Sequence, residues 1–393
     1  MRTRIRRGRV RPLTGTDSAR VSPADPMKLT VLNVAFPLTQ VSADSIGGAE
    51  QVLFALDEAL EAAGHRSVVI AGEGSVVRGT LLPVPYARGP LTAAVKAESQ
   101  QQHLSAISRA LERFPIDLVH LHGVDFHKYL PPPGPPVLAT LHLPPSWYPA
   151  EVFQMTRPHT YLQCVSRAAH NACPAAANLL QCIPNGVPVE RLFARAGKRD
   201  FALALGRICP EKGFHIALDA AHEAGIPLLI GGQVFQFEEH VAYFEREVAP
   251  RLPQCGRFLG PLSFQRKRRL LTAARCLLIT SVVHETSSLV AMEALACGTP
   301  VVGLKSPALA EIIEPGRTGF LVSDAKEMAL AIPQCLQLDS SDCRHAARQR
   351  FSSGFMTRAY LRVYQQLAGA GRFWDAPGAS RYVRGRSGLP LGS

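Results

Sequence analysis

The chain has 393 residues, too many for one hydrophobic core, and 47% of them are apolar, enough to build two. No apolar run approaches the ~18 residues that cross a bilayer, and nine scattered cysteines without a C-x-x-C pair argue against a disulfide framework and a cysteine zinc site. The net charge of +12 resembles a nucleic-acid signal, but residues 1–26 and 371–393 hold eight of those excess charges, so the body is only mildly basic and no nucleic-acid partner is expected.

Both ends are rich in Arg, Gly, Ser and Pro and are expected to be a disordered basic extension (1–26) and a disordered tail (371–393). Met27 opens M-K-L-T-V-L-N-V, which reads like an N-terminus in its own right. Reduced cysteines imply the cytoplasm, and the tails would suit peripheral contact with an anionic membrane at its inner face.

Residues 28–36 form an apolar, β-rich first strand. A loop at 37–46 leads to Gly47-Gly48-Ala49-Glu50. Val52, Leu56, Leu60 and Ala63 then make a helical stripe that Gly64 ends. Residues 67–71 are the next strand, so this is a βαβ unit and implies a parallel sheet. The Gly47-Gly48 pair would let a ligand approach the helix N-terminus closely, although turn chemistry explains it equally well. A helix at 97–113 follows, then buried strands at 117–122 and 135–142. His142 ends its strand, where ligands of parallel sheets bind. His120 lies within a strand and reads as structural; His122, at the strand end, is ambiguous. No third ligand is placed near them, so no metal is expected. Another strand spans 161–166, and Ile183-Pro184-Asn185-Gly186-Val187 is a turn-rich exit.

A second set of strands begins at 201–205. Gly206-Arg207-Ile208-Cys209-Pro210-Glu211-Lys212-Gly213 follows, then a helix through Ala224. Arg207 and Lys212 could offer a guanidinium fork and a point charge to a diphosphate; alone, the loop reads as two solvated cations. Further strands are expected at 227–231, 256–259, 276–281 and 319–322. Arg266, Lys267, Arg268 and Arg269 read as a solvated helix face, and residues 356–367 as a last amphipathic helix.

The stretch 281–302 carries the most chemistry. It reads as strand end, loop, helix, turn and strand. Ser287 or Ser288 is expected to cap the helix, Leu289, Met292, Leu295 and Ala296 to bury its face, and Gly298 to end it. Glu285 precedes the helix, and Glu293 sits in an apolar run where a carboxylate needs a partner. Two acidic acceptors beside a helix N-terminus suit a ligand with both hydroxyls and phosphates, such as a nucleotide sugar.

Glu285, seven residues, Glu293, then A-L-A-C-G-T-P-V-V resembles the donor-site motif of family 4 retaining glycosyltransferases. The G-R-x-x-x-x-K-G loop and the I-P-N-G-V exit are similar to that family too, in its order, over about residues 28–367. One departure is Thr286-Ser287-Ser288-Leu289-Val290, where many members have Gly-Phe-Gly-Leu-Pro.

The resemblance implies an α/β chain of the GT-B type, two Rossmann-like parallel-sheet domains facing across a cleft. Residues 27–195 would form the acceptor domain and 196–352 the donor domain, with a linker near 190–200. Residues 353–370 would cross back to the first domain as a helix. It further implies metal-free, retaining transfer of a hexosyl group from a nucleotide-diphosphate sugar, taken first as a UDP-sugar, with GDP and ADP open. The donor is then a co-substrate and no cofactor is needed. The acceptor is unidentified: a glycan, a lipid-linked sugar or a small molecule. By resemblance His142, Arg207, Lys212 and Glu285 would be catalytic. Gly47, Gly48, Arg207, Lys212, Glu285, Thr286, Ser287, Ser288, Leu289 and Glu293 would bind the donor. The alternatives are a catalytically silent nucleotide-sugar or polyanion binding protein of the same fold, and a related phosphorylase or epimerase.

Overall fold

The computed structural model describes residues 28–374 apart from 87, 88, 90 and 195. The expected N-terminal extension and most of the expected tail lie outside the described residues. Residues 371–374 do not begin a tail; they continue the last helix.

The first half is a six-stranded parallel sheet of β1 (Thr30–Val34), β2 (Arg66–Gly72), β3 (Thr80–Val84), β4 (Leu118–Leu121), β5 (Val137–Leu141) and β6 (Thr160–Cys164). The second is another, of β7 (Ala202–Leu205), β8 (Leu228–Gly231), β9 (Gly256–Phe258), β10 (Cys276–Ile279), β11 (Val301–Leu304) and β12 (Gly319–Val322). The strands run parallel because helices or long connections return the chain between them. Both faces are covered, which is why β1 and β4 are buried along their whole length.

The spatial orders are β3-β2-β1-β4-β5-β6 and β12-β11-β10-β7-β8-β9. Counted from its own first strand, each sheet has the doubly wound order and switches direction once. The switch points fall between β1 and β4, and between β7 and β10. Strand β3 is absent from the sequence reading. Its run T-L-L-P-V contains Pro83, which has no amide to donate, and the strand survives because it lies at a sheet edge.

The helices used below are α1 (Gly48–Ala62), α2 (Ala93–Arg113), α3 (Phe214–Glu223), α4 (Glu238–Tyr243), α5 (Phe264–Ala273), α6 (Leu289–Ala296), α7 (Ala325–Gln334), α8 (Ser340–Arg350) and α9 (Ser353–Trp374). Seven of the eight residues of α6 are buried, because α5 and α8 pack on it as well as the sheet. Helix α9 is longer than the expected 353–370 and packs against α1 and β4 of the first half. Its Tyr360 and Tyr364 are fully buried there. One apolar cluster therefore runs from Leu29, Val31 and Leu56 through Tyr360 to Met292, Leu295 and Val301.

The chain passes between the halves twice, and the two passages are bonded side by side. The Val187 amide donates to the Phe351 carbonyl at 2.7 Å, and the Ser353 amide to the Val187 carbonyl at 2.8 Å. This explains the glycine of the I-P-N-G-V exit. A Cβ at Gly186 would lie 2.7 Å from the Ser352 carbonyl oxygen, so a side chain would force the two passages apart.

Candidate active site

The conspicuous loops of the second half gather at its switch point. The loop 206–213 leaves β7, and the loop 280–288 leaves β10, the two strands that flank the reversal. Gly213 joins the first loop to α3 with φ 59°, in the left-handed region, and a Cβ there would lie 2.3 Å from the Thr280 carbonyl oxygen. The glycine thus lets the two loops touch. The Thr280 hydroxyl ties them further by donating to the Lys212 carbonyl at 2.9 Å.

Within this contact Lys212 Nζ and the Ser281 hydroxyl both donate to Glu285 Oε1. The side chains are 28% and 11% exposed for Lys212 and Glu285, so the pair sits at a wall that solvent still reaches. Arg207 is half-buried; its carbonyl accepts from the Cys209 thiol at 3.6 Å, and its guanidinium makes no hydrogen bond or ion pair among the described residues. Its charge acts on Glu50, Glu211 and His240.

Glu293 is 1% exposed, and its Oε1 accepts from Lys267 Nζ at 2.6 Å. Lys267 is therefore not part of a solvated face, contrary to expectation. It turns inward from α5 because a carboxylate buried in α6 is costly without a cation. Arg266 and Arg269 remain exposed. Glu293 Oε2 is buried and has no partner. The capping expectation also fails. Ser288 occupies the N-cap position of α6 but its hydroxyl makes no cap bond, and the buried Ser287 hydroxyl has no partner. The α6 amides and these groups stay open to another acceptor.

The first half closes over this face. The Thr286 hydroxyl donates to the His142 carbonyl at 2.6 Å, and the Phe264 amide to Asp44 Oδ1 at 2.6 Å. A Cβ on Gly48 would touch Leu289 Cδ1 at 3.4 Å, so the N-termini of α1 and α6 face each other. Two adjoining cavities share Leu205 and Val290. One is lined by Lys212, Ser281, Glu285 and Ser288. The other is lined by Gly206, Gly232 and Lys267 from one side and Asp44, Ser45 and Gln51 from the other.

Sequence reasoning passed over Glu50. Its carboxylate folds back on the start of α1, where a Cβ on Gly47 would lie 1.8 Å from Oε2. Burial raises its proton affinity, partly offset by its own backbone amide and Thr39. An acid three residues into a helix was the available signal.

His142 stands at the carboxyl end of β5, as expected. His122 Nδ1 and His142 Nε2 are 3.0 Å apart with stacked rings. His120 bonds Tyr364 through Nδ1 and Thr140 through Nε2, both at 2.7 Å, which makes it the structural residue anticipated. Burial pushes His142 down to about 3 and holds His120 and His122 well below their ordinary values. The three imidazoles are therefore neutral at pH 7.

Comparison with known proteins agrees with this geometry. A family model described as Glycosyltransferase Family 4 matches residues 46–191, and one described as Glycosyl transferases group 1 matches residues 199–338. The phosphatidyl-myo-inositol mannosyltransferase of Mycobacterium leprae is 27% identical, over 84% of this chain and 96% of its own length. Among solved structures, the sucrose-phosphate synthase of Thermosynechococcus elongatus superposes with a TM-score of 0.70 at 18% identity, covering 87% of this chain and all of that one. The Anabaena protein HepE, solved with UDP-glucose, superposes at 0.65 with 19% identity, covering 86% and 100% of the two chains. Those structures share the two-sheet fold.

Proposed function

The chain belongs to the family 4 glycosyltransferases, and from that premise we propose that it moves a hexosyl group from a nucleotide-diphosphate sugar to an acceptor, with retention and without a metal ion. The observation that carries this reading is the union, at one switch point, of the Lys212–Glu285 pair, the open Glu293 Oε2 and the uncapped start of α6. Such a wall offers cations and amides to a diphosphate and carboxylates to hydroxyls.

In this reading Arg207 and Lys212 stabilise the charge that develops on the leaving diphosphate. Glu293 accepts from the ribose through Oε2. Glu285 accepts from the sugar through Oε2, because its protein contacts both fall on Oε1. Thr286, Ser287, Ser288 and Leu289 line the donor, and Gly47 and Gly48 allow the phosphates to approach α1. His142, neutral and tied to His122 through Nε2, has Nδ1 available for the sugar. An inositol-bearing acceptor is the first to test, because the mycobacterial relative is named for phosphatidyl-myo-inositol.

The deciding experiment is a thermal-shift panel of UDP-, GDP- and ADP-sugars, followed by product analysis with the ligand that binds. A donor at 100 times its dissociation constant adds about 2.7 kcal/mol of stability. A panel in which no nucleotide sugar raises Tm would overturn the donor reading.

Glu293→Gln is expected to raise KM for the donor ten- to a hundred-fold while kcat changes little. A charge-assisted bond contributes roughly 1.5–3 kcal/mol, and the ribose it would hold does not react. Unchanged nucleoside diphosphate affinity in calorimetry would assign Glu293 a purely structural role. Chelation gives a second check. With the cations on the protein, kcat is expected to survive EDTA; complete inhibition that Mg²⁺ or Mn²⁺ reverses would sink the metal-free mechanism.

A further inference from the structure

Next to the phosphate loop lies a cluster that the transfer reaction does not use. Cys209, Glu211 and His240 bring one thiol sulfur, one carboxylate oxygen and one ring nitrogen within 4.8 Å of one another. They come from two elements. Cys209 and Glu211 flank Pro210 at the short turn before α3, and His240 projects from α4, which packs on that turn.

Cys209 is 2% exposed and His240 9%. Two of the polar atoms there, His240 Nδ1 and Glu211 Oε2, are buried without a hydrogen-bond partner. Buried polar atoms are ordinarily satisfied, so two orphans beside a buried thiol need a reason. A divalent ion supplies one.

We propose that Cys209, Glu211 and His240 form a binding site for one soft divalent metal ion, of the zinc class. The ligand set is one thiolate, one imidazole and one carboxylate, three of the four positions of a tetrahedral zinc site. The thiolate selects against Mg²⁺, Ca²⁺ and Mn²⁺, which prefer oxygen. A tetrahedral ion with bonds of ~2.0–2.3 Å needs ligand atoms roughly 3.5 Å apart.

The surroundings fit. Phe235 and Phe237 stand edge-on to the His240 ring, at 6.5 and 5.0 Å, and shield it on that side. Burial, with Arg207 nearby, holds His240 below its ordinary value, so its lone pair is free to coordinate. Burial, with a hydrogen bond to the Glu211 carboxylate, pushes the Cys209 thiol up to about 11, so coordination replaces that bond and displaces the proton to solvent. The neighbouring charges are Arg207 and Lys212, which oppose a cation but favour the thiolate, and Glu239, which favours a cation. Without metal the three ligands carry one negative charge, on Glu211. With thiolate, carboxylate and M²⁺ the site is neutral. The ion thus anchors α4 to the loop that bears Lys212 and takes no part in bond making.

The test is cobalt(II) titration of protein stripped with EDTA and dialysed. One equivalent is expected to give a sulfur-to-metal charge-transfer band with the strong visible bands of tetrahedral cobalt, and one equivalent of Zn²⁺ to abolish both. Cys209→Ser should remove the charge-transfer band, and His240→Gln should weaken cobalt binding at least tenfold. X-ray absorption of zinc-loaded wild type should show one sulfur among nitrogen and oxygen ligands, an arm that does not depend on a variant folding. No thiolate band in wild type, the same band in folded Cys209→Ser, or a zinc shell with several sulfurs or none would overturn the proposal.

Discussion

Lys212→Ala is expected to lower kcat by a hundred- to a thousand-fold. Removing one preorganised group that stabilises developing negative charge costs about 2.7–4 kcal/mol in the transition state. Lys212 is such a group if the departing diphosphate settles at the loop between β7 and α3. Its place is rigid, because Gly213 and the Thr280 hydroxyl lock that loop to the one that carries Glu285. Without a donor Lys212 rests on Glu285. Donor binding must then share or break that pair, and Glu285 becomes free to turn to the sugar as Lys212 turns to the phosphates. Lys212→Arg keeps the charge but replaces a compact ammonium with a planar fork, so it should restore donor affinity more than turnover. A folded Lys212→Ala enzyme with wild-type kcat would remove the lysine from the chemistry. Loss of stability with unchanged nucleoside diphosphate affinity would make the pair a structural tie.

A steep acid destabilisation is the second large expected effect. His120 and His122 are buried and His142 is half-buried beside them, with folded values below the ~6.5 of a free imidazole. From about pH 7.5 upward neither the folded nor the unfolded chain protonates them, and stability is flat. Below it the unfolded chain takes up protons that the folded chain refuses, so stability falls as pH falls. For His142 this continues down to about pH 3. With three such rings the slope approaches three protons, or ~4 kcal/mol per pH unit. Denaturant unfolding at a series of pH values from 7.5 to 5.5 reads it directly. His142→Gln should reduce the slope by about one proton. A flat profile over that range would mean that the rings do not stay neutral in the folded protein.

What could be read in the sequence followed from local rules. The strands of both halves are short apolar runs bounded by Gly and Pro, and parallel sheets buried on both faces need such runs. The turn at Gly298 has φ 77°, as a helix-ending glycine should. What stayed hidden depends on partners distant in the chain. Lys267 looked like one of four solvated cations, and only the fold brings it to Glu293. Ser287 and Ser288 have the chemistry of caps, yet the loop holds their hydroxyls away from the helix amides. His120 and His122 lacked a third neighbour until β5 carried His142 alongside β4. Cys209 and His240 are thirty-one positions apart, too far for any spacing rule to pair them.

The side-by-side passages at Val187 and at Phe351–Ser353 also bear on how the cleft opens. Two separated connections would let the halves shear past each other. Two connections bonded at a single place leave a pivot, and displacement grows with distance from it. The Asp44–Phe264 and His142–Thr286 contacts bridge the cleft itself, so any opening about that pivot has to break them and can leave the Val187 bonds made. The architecture is that of a jaw on one hinge: the width of its cleft is set by residues that lie outside it.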